Sequence, residues 1–302
     1  MDLKSKIILI YGPTASGKSS FAVQLAKKIK GEIINADSMQ IYKELKILSA
    51  RPSEKEYKDI KHHLYGFQSA KKSFSTGDWL RIVNKKIFEI RKRKNVPILV
   101  GGTGLYFKAL TEGLVNIPNI PSKHREKIRS LHKKLGSKKF FLKLIKLDPQ
   151  VRNNLIYSDT QRCIRAYEVK LFTKKSVYDW FKKTKPNFEQ NDFYKIYIDF
   201  PRKELLDRIS LRTKKMIKNG AIIEVKKFSE IKVRRDGIAQ KAIGIREITQ
   251  YLHKKITISE LIEKISVKTR QYAKRQSTWA RGNMQNWNKM NPIDLNKFLK
   301  KI

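Results

Sequence analysis

The chain has 302 residues, 40% of them hydrophobic, enough for one large domain or two smaller ones with a real core. No apolar run nears the roughly 20 residues that span a bilayer, no signal-peptide core precedes the first strand, and the single cysteine, Cys163, excludes intrachain disulfides and multi-cysteine zinc sites; a cytoplasmic protein with no membrane partner is expected. Lys and Arg number 68 against 27 Asp and Glu, a formal +41, which predicts attraction to polyanions, with a compositional bias toward Lys and Ile as the bland alternative.

The apolar run Lys6–Tyr11 predicts a first strand, and a helical pattern runs from Ser19 to about Lys30. Between them lies Gly12-Pro13-Thr14-Ala15-Ser16-Gly17-Lys18-Ser19, a full phosphate-binding P-loop signature. Strand, Gly-rich turn and helix N-terminus come in the order the motif requires. Backbone N–H groups of the turn and the helix dipole would cradle a polyphosphate. Lys18 adds a point charge, and Ser19 is placed to ligate Mg²⁺. Read alone, the motif says ATP.

The next strand, Glu32–Ala36, delivers Asp37 to its carboxyl end, where ligands sit in an open α/β sheet. Asp37 is either a turn or helix-capping residue or a general base beside the diphosphate. His62 and His63 invite a metal reading, but adjacent strand residues point opposite ways and no partner cluster exists. After the helical pattern Thr76–Arg93, the strand Pro97–Val100 ends in Gly101-Gly102-Thr103-Gly104. An NTPase places an acidic Mg²⁺ ligand in that slot. Here glycines leave room for a ligand's close approach, and Thr103 offers one hydroxyl.

From the turn-rich Pro118-Asn119-Ile120-Pro121 the pattern becomes helical, with Ser122–Leu135 and Thr160–Leu171, until Lys185-Pro186-Asn187. A further strand, Tyr194–Phe200, ends near Asp199, read as structural. Alternating strands and helices with a P-loop predict an α/β fold: a P-loop NTPase-like doubly wound parallel sheet. Residues 1–117 and 192–302 would form the core, with a helical insertion domain at 118–191 and a largely helical C-terminal region. In the segment Lys268–Arg281, a helix would align Arg270, Lys274 and Arg281 on one stripe and Lys268, Tyr272, Arg275 and Trp279 on another. Basic and aromatic stripes suit RNA; an amphipathic helix packing its aromatics inward is the alternative. Arg162 and Arg165 share a second cationic face, and Cys163 reads as buried filler.

Taken together these blocks resemble the bacterial tRNA dimethylallyltransferase (tRNA isopentenyltransferase) family. The pattern runs in order through Gly12–Ser19, Asp37–Lys43, His62–Leu64, Pro97–Tyr106, Asp159–Ala166, Ala242–Glu247 and Thr269–Gln276. The resemblance implies transfer of a dimethylallyl group from dimethylallyl diphosphate to N6 of the adenosine 3′-adjacent to the anticodon. The substrates would be tRNAs reading codons that begin with U. The products would be N6-(dimethylallyl)adenosine and diphosphate, and the enzyme would act as a monomer with Mg²⁺. The P-loop then holds a prenyl diphosphate rather than ATP, so no acid is needed after the third strand. By resemblance, Asp37 is the base, Thr103 contacts the adenine, and Lys18 with the loop amides stabilises the departing diphosphate. Contacts to the tRNA anticodon stem-loop, in a channel between core and insertion, carry over to Asp37, Ser38, Met39, Gln40, Thr103 and Arg125. They also carry over to Gln161, Arg162, Cys163, Ile164 and Arg165, to Lys241, Ala242, Ile243, Gly244, Ile245 and Arg246, and to Thr269, Arg270, Gln271, Lys274, Arg275 and Gln276. Departures are few. Tyr157-Ser158-Asp159-Thr160 lacks the histidine that family members often carry before the Gln-Arg pair, and Ile245 replaces a common tyrosine. One cysteine leaves no zinc finger of the eukaryotic kind. The readings that compete are a small-molecule kinase or ATPase, from the P-loop alone, and a non-catalytic RNA binder, from the charge.

Overall fold

The computed structural model describes residues 2–182, 184–234 and 237–302. Among them, six strands form one parallel sheet: β1 (Ile7–Tyr11), β2 (Gly31–Asn35), β3 (His62–His63), β4 (Val96–Gly101), β5 (Phe193–Ile198) and β6 (Asn288–Met290), in the order β3-β2-β4-β1-β5-β6. The α/β class and parallel sheet read from the sequence are present. The P-loop strand β1 sits in the middle, paired with β4 on one side and β5 on the other.

A strand covered by helices on both faces must be apolar throughout. β1 meets that demand: Ile7, Leu9 and Tyr11 join the apolar layer on one face, and Ile8 and Ile10 join the layer on the other. The same rule explains why β3 and β6 escape a reading of apolar runs. Each is two or three residues long, lies at a sheet edge and carries polar residues.

The chain divides into two compact units, Met1–Thr111 with Phe188–Ile302, and Glu112–Asn187. The second has its own core, built on Ile128, Phe140, Leu144, Val151, Cys163 and Tyr167. Ile120, in the turn-rich stretch, is 2% exposed and belongs to that core. The segment Ser122–Leu147 is two helices that meet at Gly136 (φ 71°, ψ 165°), so the first ends at Leu135, where the helical pattern in the sequence ends. In the first unit, helix Arg202–Lys218 packs on the long helix Ile258–Asn283.

Candidate active site

The P-loop turns through Ala15 (φ 66°) and Gly17 (φ 82°) into helix Lys18–Ile29. The Ser16 N–H donates to the Pro13 carbonyl at 3.3 Å. The Ser16 hydroxyl is buried and has no protein partner. A buried orphan hydroxyl costs roughly 1–3 kcal/mol, and an oxygen-rich ligand in the loop would satisfy it. Ser19, one residue into the helix after Lys18, is half-buried. A hydroxyl plus the ligand's own phosphate oxygens is the sparse donor set that Mg²⁺ takes, since it keeps most of its water. The residues therefore fit the ion.

Asp37, just past β2, is held by its neighbours. Its N–H donates to Asn35 Oδ1 at 2.9 Å, and its Oδ1 accepts from the Met39 N–H at 2.9 Å. Its second oxygen takes no hydrogen bond from the described residues. Asp37 lines a cavity of about 290 Å³, with Thr14, Arg212, Lys241, Tyr272 and Arg275 among its other polar residues. Met39, Leu48, Ile209, Met216, Ile243 and Ile265 supply apolar wall. One cavity thus joins the edge of a phosphate loop, a carboxylate and greasy surface.

Arg212 is the site residue that reading the sequence misses. Its Nη1 donates to Thr14 Oγ1 at 3.0 Å, and burial draws its pKa below the usual value, opposed by Asp37. It sits in helix Arg202–Lys218 among Lys203, Arg208, Lys214, Lys215 and Lys218, so nothing local marks it out. Arg208 stands over the Phe200 ring at 4.3 Å and approaches the Ala15 carbonyl at 3.5 Å.

Lys18 is half-buried and donates to the Pro13 carbonyl at 3.2 Å. Burial is the main reason its pKa falls to about 8; Arg212 pushes the same way, and Asp37 pulls it up. The folded value lies below the ordinary 10.5, so the free protein loses the Lys18 charge as pH rises through about 8. Affinity for inorganic diphosphate, measured by calorimetry, should therefore fall from about pH 7 to about pH 9. Lys18→Met should flatten that dependence.

Three expectations are corrected by the geometry. The glycines at the end of β4, Gly101 and Gly102, make room for protein, not for a ligand. A Cβ on Gly101 would lie 2.0 Å from the Ala36 carbonyl oxygen, and one on Gly102 would lie 2.2 Å from Gln276 Nε2. Second, the Thr14 amide does not face a phosphate: it donates to Gln276 Oε1 at 2.8 Å. Third, Gln276 is only 5% exposed, and its Nε2 donates to the Gly102 carbonyl at 2.9 Å. Both ends of this amide fasten the P-loop and the β4 turn to the long helix Ile258–Asn283. Gln276→Leu would strand the Thr14 N–H and the Gly102 carbonyl, at roughly 1–3 kcal/mol each if water cannot reach them. Thermal unfolding should register this as a lower midpoint.

The remaining expected residues divide by burial. Thr103 Oγ1 accepts from the Ser38 N–H at 2.9 Å and donates to Ser38 Oγ at 3.2 Å, which ties the β4 turn to the segment after Asp37. Gln40 Nε2 donates to the Ser49 and Ala50 carbonyls. In the smaller unit Gln161 and Arg162 are exposed and Arg125 and Arg165 half-buried, with Arg125 Nε buried and unpaired. Cys163 and Ile164 are core residues, 1% and 8% exposed, so their side chains pack inside the smaller unit. Lys241 and Arg246 are exposed; Ala242, Gly244 and Ile245 are buried, Ile243 half-buried. Of the long helix, Thr269 and Arg275 line the cavity, whereas Arg270, Gln271 and Lys274 face elsewhere. Lys268, on the aromatic stripe, is ion-paired to the buried Glu247.

The histidine pair is structural in its contacts. His63 bonds Glu32 at 2.6 Å, and His62 stacks on Tyr57 at 3.8 Å. Burial would raise the Glu32 pKa, yet hydrogen bonds from Arg93, Asn95 and His63 bring it down to about 2. Asp199 pairs with Lys289 at 3.0 Å.

A family model described as IPP transferase matches residues 40–283. The chain is 59% identical to the tRNA dimethylallyltransferase of Pelagibacter ubique over 302 residues, all of this chain and 96% of that protein. It is 41% identical to the enzyme of that name from Agrobacterium fabrum, over 97% of this chain and 99% of the relative. Among solved structures it resembles a tRNA isopentenylpyrophosphate transferase from Bacillus halodurans (TM-score 0.70, 32% identity, 98% of this chain and 94% of the other). It also resembles a eukaryotic dimethylallyltransferase crystallised acting on tRNA (TM-score 0.83, 27% identity, 97% and 75%). With most of its length matched by the family model and its whole length by a close relative, this chain belongs to the IPP transferase family.

Proposed function

We propose that the protein transfers a dimethylallyl group from dimethylallyl diphosphate to N6 of the adenosine 3′-adjacent to the anticodon, in tRNAs reading codons that begin with U. It would act in the cytoplasm, as a monomer, and release diphosphate. One observation carries the reading: Thr14 of the P-loop, Arg212 and Asp37 meet in one cavity that also has an apolar wall of Met39, Leu48, Ile209, Met216, Ile243 and Ile265. That apolar wall fits a five-carbon tail.

In this arrangement the donor's diphosphate lies in the P-loop, with Lys18 and Arg212 against its oxygens. The dimethylallyl tail lies along the apolar wall, which excludes water from the reacting carbon. The free oxygen of Asp37 takes the N6 proton as the new C–N bond forms and the C–O bond to diphosphate breaks. The electron pair of that bond leaves on the diphosphate, whose growing charge Lys18 and Arg212 stabilise. The Ser19 hydroxyl would help hold Mg²⁺, whose chemistry there would be further charge neutralisation at the leaving group. An adenine in this cavity has left its base stack, which costs a few kcal/mol; RNA contacts elsewhere must offset that cost. In the family's pattern these include Arg162, Arg165 and Arg246.

The test uses purified protein, dimethylallyl diphosphate, Mg²⁺ and bulk tRNA, with nucleosides resolved by mass. An adenosine heavier by one dimethylallyl group supports the reading. Hydrolysis of ATP without tRNA, and no such nucleoside, would sink it.

A further inference from the structure

Part of the apolar wall of the reaction cavity is carried by a turn that follows Asp37 in the chain, residues 46–50. Leu48 and Ser49 of this turn line the cavity. The turn closes on itself: the Ala50 N–H donates to the Ile47 carbonyl at 2.9 Å, and the Arg51 N–H donates to the Lys46 carbonyl at 3.0 Å. A helical turn leaves its first N–H groups without backbone acceptors. Here one side chain takes three of them. Glu224, in helix Ala221–Ser229, accepts from the Lys46 N–H at 2.9 Å and the Ile47 N–H at 2.7 Å through Oε2, and from the Leu48 N–H at 2.9 Å through Oε1. The other end of the turn is held by Gln40, whose Nε2 donates to the Ser49 and Ala50 carbonyls at 3.1 Å.

Glu224 is half-buried and does not line the reaction cavity. It lines a separate groove of about 500 Å³, together with Ile47, Ile223 and Phe228. The turn is therefore a partition, with Ile47 on the groove and Leu48 on the reaction cavity. Leu48 is 8% exposed and seats against Gly244: a Cβ on that glycine would lie 2.5 Å from Leu48 Cδ2. The reach of Leu48 into the cavity thus follows from where its backbone is held, and the charged acceptor that holds it is Glu224. Hydrogen bonds to an ionised acceptor are stronger than neutral ones.

We propose that Glu224 is a positioning residue for the prenyl donor: by fixing the turn at residues 46–50 it sets how far Leu48 enters the cavity, and so which prenyl tail the apolar wall fits. The inference rests on reading the protein as a prenyltransferase. Glu224 touches no reacting atom and acts through Leu48. Without it the turn loses its hold on three N–H groups, Leu48 draws back, a five-carbon tail loses contacts and a longer tail gains room.

The test reads the tail alone. Affinities for dimethylallyl diphosphate and for inorganic diphosphate are measured by calorimetry, and their ratio is the tail's contribution. In Glu224→Ala that ratio should fall about fourfold to fifteenfold, the worth of one or two methylene contacts. Affinity for inorganic diphosphate should stay as in the unaltered protein, which also shows that the variant folds. Geranyl diphosphate, with its ten-carbon tail, should gain on dimethylallyl diphosphate. Leu48→Ala should move both ratios in the same direction, because it removes the same piece of wall. Glu224→Asp keeps both oxygens one methylene further back and should show a smaller shift of the same sign; it carries the test if Glu224→Ala does not fold. Glu230→Ala, exposed at the end of the same helix, makes the same change of net charge and should leave both ratios alone. Unchanged ratios in the Glu224 variants, or an equal shift in Glu230→Ala, would overturn the proposal. A loss of inorganic diphosphate affinity as large as that of dimethylallyl diphosphate would also overturn it and make Glu224 a general brace. Failure of the prenyl reading itself shows differently: the unaltered protein would then bind dimethylallyl diphosphate no better than inorganic diphosphate.

Discussion

Replacing Asp37 with alanine is expected to lower the rate of prenyl transfer by about 10²–10⁴-fold, the range a positioned general base supplies. Asp37→Asn should lose nearly as much. The amide can still accept from the Met39 N–H, as Oδ1 does at 2.9 Å, so the local turn survives while the proton acceptor is gone. Binding of inorganic diphosphate should persist in both variants. The measurement is single-turnover transfer of labelled dimethylallyl groups to tRNA at saturating donor. A rate in Asp37→Asn within a few-fold of the unaltered protein would remove Asp37 as the base and leave it as a turn residue.

Arg212 carries the second large expectation, and it falls on binding. Arg212→Gln removes a charged donor from the edge of the phosphate loop and keeps enough polarity to fill the space. A hydrogen bond to a charged group contributes about 1.5–3 kcal/mol, so the apparent affinity for dimethylallyl diphosphate should drop about 10–150-fold. Affinity for tRNA measured without donor should change little. Arg212→Lys should recover part of the loss, because it restores the charge but not the fork of donors that matches a phosphate. Donor affinity unchanged in Arg212→Gln would show that the Thr14 contact only braces the loop.

Both residues lie in one cavity, but they were not equally visible in the sequence. Asp37 announces itself, because it follows an apolar strand and open sheets bind ligands at strand ends. Arg212 lies 175 residues later in a helix full of cations, and only the packing of that helix beside the P-loop selects it. The glycines at the end of β4 show the reverse failure. Their types were plain, but whether the space beside them belonged to a ligand or to Ala36 and Gln276 depended on what the fold put there. The stripes of the C-terminal helix were legible as angles. Which stripe faced the reaction cavity and which faced a second cavity, lined by Arg270, Lys274 and Arg281, was decided by the helix packed against it.

The sequence by itself determined the phosphate loop, the parallel α/β class and the central strands, because these depend on local chemistry. A buried strand must be apolar, and a phosphate loop must turn within a few residues. It also determined, through ordered motifs, the family. Only the tertiary structure decided that Gln276 fastens the P-loop to the β4 turn, that Arg212 joins the site, and that the long helix separates two cavities. Those are pairings between residues hundreds of positions apart, and their energies come from burial and hydrogen-bond geometry that exist only once the chain has closed on itself.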